Sequence, residues 1–210
     1  MTYPDSVQFL YALGNEIKTV KLGLDAIRAL LEALGNPQDA YRVAHVAGTN
    51  GKGSTCAMIE AGLRAAGIRT GLYTSPHLME PTERIQINGE AVTPEAFLDA
   101  FERVHRASEQ LVEAGVLEFH PTYFETVTAM GFLLFRDAAI DTLVCEVGLG
   151  GRLDATNIVK PALCVITAID YDHEQFLGNT LALIAAEKAG IMKAGVPVVF
   201  SSQRIEAEWE

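Results

Sequence analysis

The sequence predicts an α/β protein, a mostly parallel sheet flanked by helices with a small β-hairpin extension. Three observations carry that expectation. Short apolar runs rich in β-branched residues recur along the chain, separated by segments whose apolar residues fall at three- and four-residue spacing. Several of the runs end at glycine or a polar residue, as buried parallel strands do where they meet a loop. At 210 residues and 49% hydrophobic content, the chain suits one domain with a substantial core.

Taken in order, the strands are expected at 41–48 (YRVAHVAG), 69–75 (RTGLYTS), 141–148 (DTLVCEVG), 162–170 (ALCVITAID) and 196–202 (VPVVFSS). Helical spacing covers 54–66, 94–114, 122–138 and 180–190. Thr93 and Pro94 make a strong helix start, a capping hydroxyl followed by proline at the first helical position. Within RIQINGEAV, Asn88-Gly89 between alternating apolar residues predicts the hairpin. Strand–helix alternation implies a parallel sheet covered on both faces. No repeat or low-complexity tract interrupts it. The final SQRIEAEWE, with Ile205 and Trp209 four apart, reads as the beginning of another helix, so we expect one domain of a longer protein.

Charge and cysteine usage narrow the function classes. The 27 acidic against 16 basic residues give a net charge of -11, which argues against nucleic acid as the main partner. A small polyanion remains compatible if the positive field is local. No apolar run reaches the roughly 18 residues of a membrane helix, and the N-terminal stretch lacks a basic leader region. Three scattered cysteines, Cys56, Cys145 and Cys164, fit neither a disulfide framework nor a zinc site. A reduced, cytoplasmic protein without membrane contact is the expectation.

The stretch VAGTNGKGST, Val46–Thr55, runs from an apolar strand through a glycine turn into a helix. That layout points backbone N–H groups at anionic oxygens. Thr49, Asn50, Gly51, Lys52, Gly53 and Ser54 form the candidate cradle, with Lys52 along the β/γ-phosphates and Ser54 or Thr55 offering a hydroxyl to phosphate or Mg²⁺. The spacing departs from G-x-x-x-x-G-K-[ST]: Val46 stands where the first glycine belongs, and Gly53 separates Lys52 from Ser54. Glu146, at the end of a buried strand and before Gly148, Gly150 and Gly151, is either a hard oxygen ligand suited to Mg²⁺ or a cap for the next turn. On pattern alone His173 is a structural histidine, Ser75 a turn hydroxyl before Pro76, and Lys188 a solvated helix lysine beside Glu187.

The run HVAGTNGKGST resembles the ATP-dependent Mur-type amide ligases, and more closely their folylpolyglutamate synthase/dihydrofolate synthase branch. The glycine spacing is that family's own variant. The likeness continues through YTSPHL (73–78), ERIQING (83–89), TYFE (122–125), EVGLGGRLDATN (146–157), DH (172–173) and EKAGI (187–191), covering most of the chain after residue 40. SPH, TYFE and GRLDATN are most like the bacterial bifunctional form, which makes dihydrofolate and then extends its glutamate tail.

This resemblance implies a P-loop NTPase-like Mur ligase central domain over 1–210 and a C-terminal glutamate-binding domain outside it. The implied activity joins L-glutamate to dihydropteroate or a folate through an acyl phosphate, with ATP and Mg²⁺. By the same resemblance Ser75, Glu146 and His173 hold one metal. Lys188, carbamylated by CO₂, holds a second. Lys52, Lys188 and His173 are the residues closest to the chemistry. Thr122, Tyr123, Phe124 and Glu125, with Leu153, Asp154 and Ala155, align with pterin-site segments. There Tyr123 and Phe124 stack on a flat ring or simply pack in the core, and Asp154 accepts pterin N–H groups. TVKLGL (19–24) is a weaker match to a pteroate-bordering loop, and His77 and Arg84 fall in a loop near the substrate. Two rivals remain: a non-catalytic P-loop nucleotide-binding module, and a ligase or small-molecule kinase acting on another substrate.

Overall fold

A computed structural model describes residues 1–14 and 23–203. Residues 19–22 of the TVKLGL match, and the expected helix start at Ile205, lie outside the described residues. The elements are α1 (Tyr3–Ala12), α2 (Asp25–Ala33), β1 (Arg42–Ala47), α3 (Lys52–Ala65), β2 (Thr70–Tyr73), β3 (Ile85–Ile87), β4 (Glu90–Ala91), α4 (Pro94–Glu113), α5 (Tyr123–Asp137), β5 (Thr142–Glu146), β6 (Leu163–Ile166), α6 (Glu174–Leu177), α7 (Leu181–Ala189) and β7 (Val198–Phe200). The five expected strands and four expected helices are all present; the strands are trimmed at their ends, whereas α3 begins two residues earlier than expected, directly after left-handed Gly51.

The sheet runs β4-β3-β2-β5-β1-β6-β7. Five strands are parallel, and the β3–β4 hairpin adds antiparallel at the β2 edge. The hairpin turns through Asn88 (φ 51) and Gly89 (φ 81), the positive-φ pair that a two-residue turn requires. Asn88 also binds Thr70, its side-chain oxygen taking the Thr70 amide at 2.9 Å and its own amide giving to the Thr70 carbonyl at 2.9 Å.

Alternation along the strands supplies both faces of the core. Val43, Leu143, Cys145 and Tyr73 join a large cluster with α1, α2, α4 and α5. Val46, Val144 and Leu72 face α3 with Cys56. A third cluster sets Ala47, Val147 and Ile166 against α6 and α7. Helices α1 and α2 are absent from the sequence reading, yet both signals are local. Thr2 and Asp5 form a capping box at α1, and Ile27, Leu30 and Leu31 recur on one face of α2. Among the described residues no helix is long and apolar enough to cross a membrane.

The topology positions the site. β1 lies between β5 and β6, and the chain moves to one side of β1 for β2 and β5 and to the other for β6 and β7. That reversal opens a crevice beyond the C-terminal ends of the strands. Register brings Val46 opposite Glu146, Ala47 opposite Ile166 and Tyr73 opposite Cys145. The loops carrying Ser75, Gly48–Gly51, Gly148 and Thr167–His173 therefore leave the sheet along one edge.

Candidate active site

At the end of β1, Gly48 takes φ 144, and a Cβ there would come 1.8 Å from Thr167 Oγ1. Only glycine lets the loop pass β6 so closely. The Thr49 and Asn50 amides donate to the Ala168 carbonyl at 2.9 and 3.3 Å. The Thr49 hydroxyl gives to the Asp170 carbonyl at 2.9 Å. These two amides, expected in the phosphate cradle, instead tie the loop to the strand-β6 side. Gly51 caps α3 in the left-handed region at φ 83, and the Thr55 amide makes the first helical bond, to the Gly51 carbonyl. The N–H groups of Lys52, Gly53 and Ser54 precede that bond and head the helix, where helical acceptors are lacking and the dipole favours anions. Lys52 Nζ donates to the carbonyl of Thr49 at 3.3 Å, folded over its own loop.

Glu146 is buried beside this helix start: a Cβ on Gly53 would lie 3.6 Å from its Oε2. The Ser75 amide donates to the same oxygen at 3.2 Å. Burial raises the Glu146 pKa, opposed by that amide and then by Lys52 and Arg84. A buried carboxylate whose pKa stays raised despite two nearby cations is under-neutralised, and so suited to a further positive ion.

Lys188 overturns the pattern reading of a solvated lysine. It is 3% exposed and donates from Nζ to the Gly48 carbonyl at 3.0 Å. Its neighbour Glu187 turns outward to Arg152, 2.7 Å away. Burial lowers the Lys188 pKa to about 8, assisted by Lys52 and opposed by Asp172. His173 adopts the left-handed region at φ 47 just before α6, 40% exposed, with Nε2 3.6 Å from Asp172 Oδ1. Asp172 thus stands beside the histidine and also acts electrostatically on the buried lysine.

At the other end of the crevice, Thr122 and Glu125 form a capping box for α5. The Thr122 amide and hydroxyl reach Glu125 Oε2 at 2.8 and 2.9 Å, and the Glu125 amide returns to Thr122 Oγ1 at 3.3 Å. Both polar groups are committed to the helix start, which the T-x-x-E spacing signals. Tyr123 is 3% exposed and stacks on Tyr11 at 5.7 Å, with the Arg84 guanidinium 5.4 Å from its ring centre. Arg84 Nε donates to His77 Nδ1 at 2.8 Å, and His77 Nε2 meets the Tyr11 hydroxyl at 3.0 Å. Sequence reasoning gave Tyr11 no part here, having missed α1. Half-buried Phe124 lies over the 148 turn, where a Cβ on Gly148 would come within 2.5 Å of its ring. Leu153 is half-buried and Ala155 buried at the head of a short 3₁₀ turn. Asp154 is buried and fully engaged: Oδ2 accepts the Gly148 and Leu149 amides at 3.0 and 2.9 Å, and Oδ1 accepts the amide and hydroxyl of Thr156. Receiving a pterin N–H would require one of these bonds to give way or be shared.

Of the expected metal ligands, Ser75 meets Glu146, Lys188 lies under the glycine loop, and His173 stands with Asp172. Among the described residues no three or more His, Cys, Asp or Glu side chains gather as a ready-made metal cage. The single buried Glu146 carboxylate beside the α3 helix start fits Mg²⁺, which keeps waters and takes one or two carboxylates together with phosphate oxygens.

Comparison with known proteins gives consistent matches. The family profile of the Mur ligase middle domain covers residues 46–199. A folylpolyglutamate synthase from Lacticaseibacillus casei is 42% identical over 199 residues, 95% of this chain and 46% of the relative. A structure described as an FPGS-AMPPCP-folate complex superposes with a TM-score of 0.92 at 40% identity, covering 99% of this chain and 50% of the other. E. coli FolC in complex with DHPP and ADP superposes at 0.86 and 37% identity, over 95% and 46%. The chain spans about half the length of the curated relatives it matches.

Proposed function

Because this chain belongs to the Mur ligase middle-domain family, we propose that it is the nucleotide- and acyl-binding part of an ATP-dependent ligase that joins L-glutamate to dihydropteroate or to a folate. The observation that carries the reading is the placement of Glu146 against Gly53, a buried carboxylate beside the first turn of a helix suited to phosphate. The relatives' bound nucleotide analogue, folate and DHPP support the same assignment.

The chemistry is phosphoryl transfer followed by amide formation. A carboxylate oxygen of the acyl substrate attacks the γ-phosphorus of ATP, ADP leaves, and an acyl phosphate results. The glutamate amine adds to the carbonyl carbon, loses a proton, and phosphate departs with the C–O bonding pair. Both steps depend chiefly on positioning and charge stabilisation. The N–H groups of Lys52–Ser54 would hold the phosphates, and Lys52 would exchange the Thr49 carbonyl for the β/γ-oxygens. Glu146, with Ser75, would hold Mg²⁺, which when bound neutralises phosphate charge. His173 would stand at the margin of the same cation. Lys188 is suited to carbamylation: its pKa of about 8 leaves a useful share of neutral amine, which attacks CO₂ and releases a proton to become an anion. That anion would serve a second Mg²⁺. Tyr123, Phe124, Leu153 and Ala155 would wall the pterin ring, close to Asp154.

Glutamate recognition and closure over the nucleotide fall to a further domain in this proposal. The test is ATP hydrolysis measured with and without dihydropteroate and glutamate, for the complete gene product and for residues 1–210. Turnover requiring both substrates in the complete product alone is expected. Robust turnover by 1–210 would defeat the division of labour, and substrate-independent hydrolysis would defeat the ligase assignment.

A further inference from the structure

Beneath the two halves of the crevice runs a buried polar chain that begins in the middle of β1. His45 is fully buried, opposite Cys145 and Cys164 in register. Its Nε2 lies 2.8 Å from the hydroxyl oxygen of Thr156, itself fully buried. Thr156 in turn contacts Asp154 Oδ1, whose carboxylate already takes three backbone N–H groups. These contacts fix the proton order. With backbone donors on both Asp154 oxygens, the carboxylate accepts throughout, so the Thr156 hydroxyl proton points to it. The Thr156 oxygen then receives N–H from His45 Nε2, and Nδ1 carries the lone pair. Nδ1 has no hydrogen-bond partner among the described residues, which costs less for a bare lone pair than for a buried N–H. Burial pushes the His45 pKa down to about 3, aided by Lys193, so the ring stays neutral.

The far end of this chain reaches the site. Asp154 grips the amides of Gly148 and Leu149, which follow Glu146 by two and three residues, and Gly148 lies against the Phe124 ring. We propose that His45 and Thr156 are positioning residues for the reaction: the His45–Thr156–Asp154 relay fixes the 148–149 backbone, and thereby where Glu146 and Phe124 meet the two substrates. The proposal rests on the ligase reading for its kinetic consequence and on the loop alone for its structural one. Outer hydrogen-bond partners of this kind typically carry about ten- to hundred-fold in activity or metal affinity.

The test uses the complete protein with Thr156→Val, which keeps the shape and loses the hydroxyl, and with Thr156→Ser and His45→Gln, which keep a hydroxyl and an N–H donor. Amide hydrogen exchange at Gly148 and Leu149 is read without substrates, and kcat and KM with ATP, dihydropteroate and glutamate. In Thr156→Val, exchange at both amides should quicken at least about ten-fold, and kcat should fall about ten-fold or more while KM for ATP stays within about two-fold. Thr156→Ser and His45→Gln should remain within about three-fold of the parent in both readouts. Unchanged exchange in Thr156→Val, or an unchanged kcat despite a lower Tm, overturns the proposal. If the parent itself lacks substrate-dependent turnover, the ligase reading fails. The exchange pattern then decides the relay: faster in Val but not Ser supports it, and equal rates overturn it.

Discussion

The two ends of the crevice are built in opposite ways. At the head of α3, Lys52, Gly53 and Ser54 bring backbone donors that precede the first helical bond and that no acceptor among the described residues takes, and the Lys52 side chain rests on a carbonyl of its own loop. At the TYFE and 146–157 end, the polar groups bind one another: Thr122 with Glu125, and Asp154 with Gly148, Leu149 and Thr156. The first region keeps its free energy of binding in reserve for an anion. The second spends its hydrogen bonds on holding a shape. Phosphate charge changes during transfer, so groups that respond to it belong at the open end. In the proposed reaction a flat acyl substrate would need fixed walls, and internal bonding supplies them without waiting for a ligand.

The largest expected effect breaks the open end. Lys52→Ala and Glu146→Gln should each lower kcat by about 10²-fold or more, the range for removing one preorganised charge-stabilising group. Stability should change little for Lys52→Ala, whose one side-chain hydrogen bond among the described residues is a 3.3 Å contact with its own loop and whose charge favours ionised Glu146 but disfavours ionised Lys188. Steady-state kinetics beside thermal melts check both statements. A Lys52→Ala protein with normal kcat would remove the phosphate role from the loop.

A smaller, graded effect comes from Lys188, which lies under the open end and donates to the Gly48 carbonyl. Its folded pKa of about 8 lies below the ordinary 10.5, so the folded protein holds fewer protons at this amine than the unfolded chain between those values. Stability from this group therefore rises with pH across that window. The neutral share, on which carbamylation depends, grows roughly eight-fold between pH 7 and pH 8.5 for a pKa near 8. At low CO₂, activity of the complete protein should increase as pH passes 8, and added bicarbonate should move the rise to lower pH. Lys188→Arg should respond to neither. Intact-mass measurement under CO₂, followed by acid release, reads the modification directly.

The sequence disclosed the open end more fully than the closed one, for physical reasons. Strand, glycine turn, lysine and helix are neighbours in the chain, so local pattern located Lys52 at a helix start and Glu146 at a strand end, while leaving that carboxylate open between ligand and turn cap. The hairpin was equally local, because Asn88-Gly89 imposes its turn. Lys188 was misjudged on pattern because helical spacing says which residues share a face but not which face meets a loop 140 residues away. His45 read as one residue of an apolar strand, since nothing near it announces Thr156. Tyr11 went unseen because α1 is short and its stacking on Tyr123 is a tertiary contact. Thr122 and Glu125 show one spacing that carries two readings. Their motif pointed to substrate, whereas the same T-x-x-E spacing also specifies a capping box, and the box is what the fold makes of it.

That last pair gives the smallest effect and the sharpest test of the contrast. If Thr122 belongs to the closed end, Thr122→Ala removes a helix cap and should cost about 1 kcal/mol of stability. The loss should appear as a lower melting midpoint, with KM for dihydropteroate within about two-fold of the parent once folded protein is counted. Thr122→Ser keeps the hydroxyl and should restore the midpoint. A ligand contact would behave the other way, with KM rising by several-fold and the melt unmoved, because the cap and the substrate draw on the same hydroxyl but are read in different states of the protein. Denaturation and kinetics on the same two variants therefore assign that oxygen to the helix or to the ring.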